Sequence, residues 1–287
     1  MDVLVLGSAN ADLVVRVDRR PQAGETVLGS DTAVLPGGKG ANTAVAAARL
    51  GGRVSFLGAV GPDGYGDLLV ESLRAAGVDG SAVRRADRPT GIAYITVTPD
   101  GENAIVVSPG ANHALTAADV DRVPLAGGQV LVASLEVPVP VVEYAVAAAA
   151  ARGVRPVVNL SPVARLSATT LAVLDPLVVN EHEAAWLGAT GDFGALLDLG
   201  PRSVVVTLGA RGALVLTRED GVAEIAAPAV TAVDTTGAGD AFTGALAVGL
   251  ASGSGLAEAA TFAARVAAIS VTRPGAAPSY PSAAELS

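Results

Sequence analysis

The sequence predicts an α/β fold: a three-layer α/β/α core on a mostly parallel sheet, plus a small β-sheet lid. Three observations point there. From about residue 116 onward, short apolar runs alternate with Ala-rich helical stretches, the rhythm of strands joined by crossover helices. Hydrophobic residues make up 51% of the chain but aromatics only 3%; the surplus is Ala and Val, which suits strands covered on both faces and tightly packed helices. Two hairpin-like segments near 13–36 and 89–107 carry too little apolar content for cores of their own, so they are expected to pair into one sheet over the core. The expected division is 1–12, 37–88 and 108–287 for the core, and 13–36 and 89–107 for the lid.

Taken in order, residues 2–7 are an apolar run ending at Gly7, a buried strand that opens into a loop. Residues 13–17 and 26–34 are β-prone and punctuated by Pro21, Gly24 and Gly29. An Ala-rich helix over 40–50 is stopped by Gly51-Gly52. A second buried strand spans 54–60, and helical periodicity over 63–76 ends at Gly77. Strands at 91–98 and 103–108 are joined by Pro99-Asp100-Gly101, a hairpin signal. Further strands are expected at 130–134, 156–159, 177–180 and 204–208, and helices at 139–151, 181–187, 238–251 and 256–271.

With 287 residues the chain can form one large α/β domain or two small ones. A net charge of −9 argues against a nucleic-acid surface, where basic clusters dominate. Cysteine is absent, which excludes disulfides and zinc–thiolate sites, and His113 and His182 alone cannot make a multi-histidine metal site. The first ten residues read as a strand, not a signal peptide. Residues 139–151 are interrupted by Glu143 and too short to span a bilayer. The expectation is a cytoplasmic chain with neither membrane nor nucleic-acid partners.

Two segments carry chemistry. The first reads Asp234-Thr235-Thr236-Gly237-Ala238-Gly239-Asp240 and runs straight into a helix. Its glycines permit a tight turn with successive N–H groups pointing one way, at a helix N-terminus that favours anions. Asp240 falls in the first turn, where its carboxylate can accept a hydroxyl proton; taken alone, the motif reads more simply as a first-turn acid stabilising its helix after a plain glycine loop. The second segment is Pro36-Gly37-Gly38-Lys39-Gly40-Ala41-Asn42. Lys39 is the only lysine; the other 18 basic residues are arginine. The segment lacks the glycine and Ser/Thr spacing of a Walker A loop, and a simple helix start with a solvated Lys39 is the plainer alternative.

The 234–240 segment resembles the signature of the ribokinase-like (PfkB) family of carbohydrate kinases, and the 36–42 segment resembles that family's first signature. The resemblance runs from Asn10 to Ser279 in matching order. It implies a ribokinase-like fold and ATP-dependent phosphorylation of a sugar, D-ribose at its primary 5-hydroxyl. Asp240 is the implied base, and the amides of Gly237, Ala238 and Gly239 form an anion hole. Asn10, Asp12, Gly38, Lys39, Asn42 and Glu136 are implied sugar contacts; strand C-terminal ends are where open α/β sheets bind ligands.

For the nucleotide, the resemblance assigns Asn180, Thr207, Gly209, Gly212 and Gly239. Glu183, in Asn180-Glu181-His182-Glu183, is implied to hold Mg²⁺ through water, although an N-capped helix with first-turn acids explains that stretch as well. His182 reads as a surface residue. Asp234, Thr236, Ser270, Arg273, Gly275 and Ser279 are the implied site of a monovalent cation, K⁺. Around the adenine, relatives often carry Asn or His on the last helix, where this chain has Ala263, Ala264 and Arg265. A homodimer through the lid is expected. Alternatives are a sibling kinase for deoxyribose, a nucleoside or a ketose, and a non-catalytic sugar sensor; retention of Asp240 and Glu183 disfavours the sensor.

Overall fold

The computed structural model describes residues 2–286. In chain order the elements are β1 (Asp2–Leu6), β2 (Asn10–Arg16), β3 (Ala33–Gly37), α1 (Lys39–Arg49), β4 (Arg53–Leu57), β5 (Ala59–Val60), α2 (Gly64–Ala75), β6 (Arg84–Arg85), β7 (Gly91–Val97) and β8 (Asn103–Ser108). They continue with α3 (Ala117–Val120), β9 (Val130–Ser134), α4 (Val139–Ala150), β10 (Arg155–Asn159), α5 (Ala168–Leu171), β11 (Leu177–Asn180), α6 (Glu181–Trp186), α7 (Ala195–Asp198), β12 (Ser203–Thr207), β13 (Ala213–Thr217), β14 (Gly221–Ile225), α8 (Ala238–Ala251) and α9 (Leu256–Ser270).

The main sheet runs β14-β13-β12-β11-β10-β9-β1-β4. The six strands from β12 to β4 in that order are parallel, and only β13 and β14 run antiparallel at one edge. Alternation along β1 builds both halves of the core. Val3 and Val5 join the cluster under α1, α8 and α9, whereas Leu4 and Leu6 join the cluster under α4. Because β1 is flanked by β4 on one side and β9 on the other, the strand order reverses there. That crevice is where open α/β sheets place ligands.

A second sheet, β3-β2-β7-β8, is assembled from the two excursions, joined by parallel pairing of β2 with β7. It begins at Asn10, earlier than residue 13, because Asn10 and Asp12 belong to the strand and pair with Gly37 and Leu35. The expected strand over 26–34 is shorter and later: β3 starts at Ala33, opposite Val14. Residues 25–32 are mostly exposed and are tied to the sheet only around 29–30, by the bridge of Val17 with Gly29 and hydrogen bonds between Ser30 and Arg16. β-prone residues there have no partner strand to pair with, and pairing across the sheet is what stabilises a strand.

Helices α1 and α8 form the frame that brings the two sequence signatures together. Residues 240–250 of α8 are all buried. A methyl group on Gly244 would lie 2.7 Å from the Thr43 carbonyl of α1, so the glycine lets the two backbones touch. That close crossing holds the beginnings of the two helices side by side.

Candidate active site

The first turns of α1 and α8 face each other at the end of the parallel strands. Asn42, in α1, donates from its side-chain amide to Asp240 Oδ2 at 2.9 Å. Asp240 is 6% exposed, and burial raises its carboxyl pKa to about 6, with Glu136 adding to the shift while Lys39 and Asn42 pull it back. Relative to a carboxylate in water, that disfavours the charged form by about 3 kcal/mol. A group poised there is ionised at neutral pH yet basic enough to take a proton. Burial alone would lower the Lys39 ammonium; Asp240, Glu136 and Glu183 outweigh it and hold the group above its usual value, so Lys39 stays charged.

The turn preceding α8 follows from its glycines. Gly237 has φ 72°, a left-handed conformation that costs glycine little. Its carbonyl accepts the Ala241 N–H at 2.9 Å, starting the helix. The Ala238 amide folds back on the Thr235 carbonyl at 3.2 Å, so the expected run of three amides facing one way is altered here. Among the described residues, the amides of Gly237, Gly239 and Asp240 have no carbonyl acceptor. They sit beside a cavity of about 260 Å³ lined by Lys39, Asn180, Glu183, Thr207, Gly239 and Asp240 among others.

On the other side of Asp240 lies a polar constellation. Glu136 follows β9 and accepts from Ser8 Oγ at 2.5 Å, Asn10 Nδ2 at 3.3 Å and the Lys39 amide at 3.4 Å. Asn10 is braced by Asn112, whose side chain donates to Asn10 Oδ1 at 2.7 Å. Asn10 and Asp12 share one face of β2, being two residues apart in a strand. Asp12 packs over Gly37, where a methyl group would lie 2.1 Å from its Oδ2. Burial, with the negative charges of Glu136 and Asp240, pushes Asp12 up to about 7. Gly38, at φ 93°, opens α1 against the backbone of Ala9 and Asn10.

Beyond the cavity, Thr207, Thr235, Ala238 and Gly239 continue into an apolar cleft of about 460 Å³. Gly209 and Gly212 line it with Phe242, Ala264 and Ala267. Of the three residues expected near a base, Ala264 faces the cleft, Ala263 is buried in the core and Arg265 is exposed. Asn180 and Glu183 form a reciprocal capping box, each accepting the other's amide at 2.8 Å. Structural capping thus occupies Asn180 Oδ1 and Glu183 Oε2, while both residues still line the cavity. His182 is exposed.

The residues expected to hold a cation divide. Asp234 bridges two loops, accepting from the Thr236 amide at 2.9 Å and the Gly275 amide at 2.8 Å. Ser279 donates its hydroxyl to Ala276 O and Ser270 donates to Ala267 O, each inside its own turn. The Arg273 side chain points to Glu285 at 2.7 Å, leaving only its main chain for an ion. Ser8 and Asn112 are site residues that the sequence does not single out. Each is a lone polar residue beside a loop, with no spacing to mark it.

A buried carboxylate beside free helix-end amides, between a cluster of carboxylates and amides able to grip hydroxyls and an apolar cleft, is the layout that a small-molecule phosphotransferase requires. Residues 1–283 match the pfkB family of carbohydrate kinases. The chain is 39% identical to a ribokinase of Schizosaccharomyces pombe, over 100% of this chain and 96% of that one. It is 35% identical to a deoxyribokinase of Salmonella typhi, covering 98% and 96%. It superposes on the structure of Arabidopsis thaliana ribokinase complexed with ribose and ATP with TM-score 0.89 and 31% identity, covering 99% and 96%. The chain therefore belongs to the pfkB carbohydrate kinase family, and it is an ATP-dependent sugar kinase.

Proposed function

We propose that the enzyme transfers the γ-phosphoryl group of ATP to the 5-hydroxyl of D-ribose, giving ribose 5-phosphate and ADP. The observation that carries this reading is the buried Asp240 carboxylate at the start of α8, held by Asn42 beside Lys39. Asn10, Asp12, Asn42 and Glu136 orient the sugar through its hydroxyls, with Gly38 letting it approach the backbone. Asp240 takes the 5-hydroxyl proton as that oxygen attacks the γ-phosphorus in line and the bond to the β–γ bridging oxygen breaks. The Gly237, Gly239 and Asp240 amides and the Lys39 ammonium offset the charge spread over the transferring group.

The base and triphosphate fit the cleft and cavity, with Thr207, Gly209 and Gly212 against the nucleotide. Mg²⁺ arriving with ATP would neutralise charge on the phosphate oxygens; Glu183 Oε1, the carboxylate oxygen left outside the capping box, would be available to a water on that ion, and Asn180 Nδ2 could donate to phosphate. The small sheet is the lid, shielding the site from water. An ADP-release assay over pentoses, hexoses and nucleosides tests the reading: ribose should give the highest kcat/KM, and a nucleoside or hexose in first place would overturn the substrate. The relationship to a deoxyribokinase favours 2-deoxyribose as the second candidate.

A monovalent cation fits the loops joined by Asp234. Burial would raise that carboxyl, but hydrogen bonds from Thr236 and Gly275 outweigh it and hold the group below its usual value, hence ionised. Its oxygens, with main-chain carbonyls near Thr236, Ser270, Arg273, Gly275 and Ser279, suit a large, oxygen-preferring ion such as K⁺. An ion held there would order the loop leading into 237–240. K⁺ is expected to activate several-fold more than Na⁺, a modest loop-ordering effect of about 1 kcal/mol; equal rates after depletion of each ion would count against the site.

The lid also supports a homodimer. Val34, Tyr94 and Val106 are exposed together on the face of its strands opposite Asp12, an apolar surface beside an open edge that a second copy can cover. Light scattering at micromolar concentration should give twice the chain mass; a fully active monomer would rule the dimer out. Among the described residues no helix is long and apolar enough to cross a membrane, and use of ATP suits a cytoplasmic location.

A further inference from the structure

We propose that Tyr280 is a positioning residue for phosphoryl transfer: its hydroxyl holds the Gly237 carbonyl and so fixes the peptide from which the anion-binding turn begins. This rests on the reading of residues 237–240 as the anion hole. Tyr280 Oη donates to Gly237 O at 3.1 Å. The same carbonyl accepts the Ala241 amide that opens α8, so it is held from two sides. Contact is close, since a methyl group on Gly237 would lie 2.4 Å from the Tyr280 oxygen.

The tyrosine is itself anchored to the other site helix. Arg49, at the end of α1, donates to the carbonyls of Tyr280 at 2.8 Å and Pro278 at 3.4 Å. Ser279 ties the preceding turn through Ala276 O. Tyr280 is 1% exposed and among the largest fully buried side chains. One residue therefore links α1, which carries Lys39 and Asn42, to the start of α8, which carries Asp240. Burial, together with the charges of Asp240 and Asp12, keeps the phenol well above its usual pKa despite Arg49, so it remains a donor throughout the working range.

A plainer role exists: the ring fills the core, and the hydroxyl bonds Gly237 because a buried phenol needs an acceptor. Tyr280→Phe separates the two, keeping the ring and removing only the donor. Steady-state kinetics in saturating ATP, isothermal titration of sugar binding and thermal melting are measured on Tyr280→Phe, Tyr280→Leu and Asp240→Asn, with kcat normalised to the fraction of sites that bind sugar. For Tyr280→Phe, kcat should fall about fivefold to tenfold, the scale of one hydrogen bond expressed in the transition state. Sugar KM and melting temperature should stay near wild type. A Phe variant with wild-type kcat, or one whose loss of kcat tracks equal losses in sugar affinity and melting temperature, would overturn the proposal. Failure of Tyr280→Leu alone would assign the residue to packing and overturn it as well. A fully active Asp240→Asn would instead overturn the reading of the site itself.

Discussion

Asp240→Asn lowers kcat by at least ~10²-fold while sugar affinity changes far less. That is the usual scale for losing a general base, and the substitution preserves volume and an oxygen to accept from Asn42. Glu136, on the other side of the site, already receives Ser8, Asn10 and the Lys39 amide, whereas Asp240 stands beside the free amides that open α8. The pH profile carries the same signature. Asp240 must be ionised to act, so kcat/KM rises as pH increases through about 6 and levels off above it. Asp12, raised to about 7 by burial and its carboxylate neighbours, titrates nearby and broadens the limb. In Asp240→Asn the residual rate should lose the component near 6. Near-normal turnover in that variant would remove Asp240 from the chemistry.

Substrate choice gives the second large effect. D-ribose should exceed 2-deoxyribose in kcat/KM by at least ~10-fold, because a site built to bond a hydroxyl leaves polar groups unpaired when it is missing. Asp12 is the residue most sensitive to that loss: it is half-buried, it faces two other carboxylates, and two sugar hydroxyl donors would offset the repulsion. Asp12→Ala should narrow the gap by harming ribose more than deoxyribose. Equal losses for both sugars would reduce Asp12 to a residue that shapes the strand. Equal wild-type rates would broaden the substrate class to pentoses with and without the 2-hydroxyl.

Much of the fold is legible in the amino-acid sequence, and the exceptions have physical causes. The helix at 238–251 agrees residue for residue, since a glycine turn, a first-turn acid and a long Ala-rich run coincide there. The hairpin at 91–108 is equally plain from Pro99-Asp100-Gly101. By contrast, β2 reads in sequence as starting at residue 13, because Asn and Asp disfavour strands. Its true start at Asn10 is set by tertiary pairing with Gly37 and Gly91. Strand β14 leaves no clear signal, since its five residues alternate weakly and lie mostly exposed at the sheet edge. Ser8, Asn112 and Tyr280 share another difficulty. Each acts through side-chain hydrogen bonds to residues far away in sequence, and no local pattern announces such a contact.

The position of the transferred phosphoryl group tests the central claim most directly. Wild-type enzyme is incubated with D-ribose, ATP, Mg²⁺ and K⁺, and the product is identified by phosphorus–proton correlation NMR. With Asp240 activating the primary hydroxyl, the new phosphorus signal should couple to the two C5 protons, and Asp240→Asn should form that product at least ~10²-fold more slowly. Coupling to the anomeric proton, or ADP release without a sugar phosphate, would contradict it.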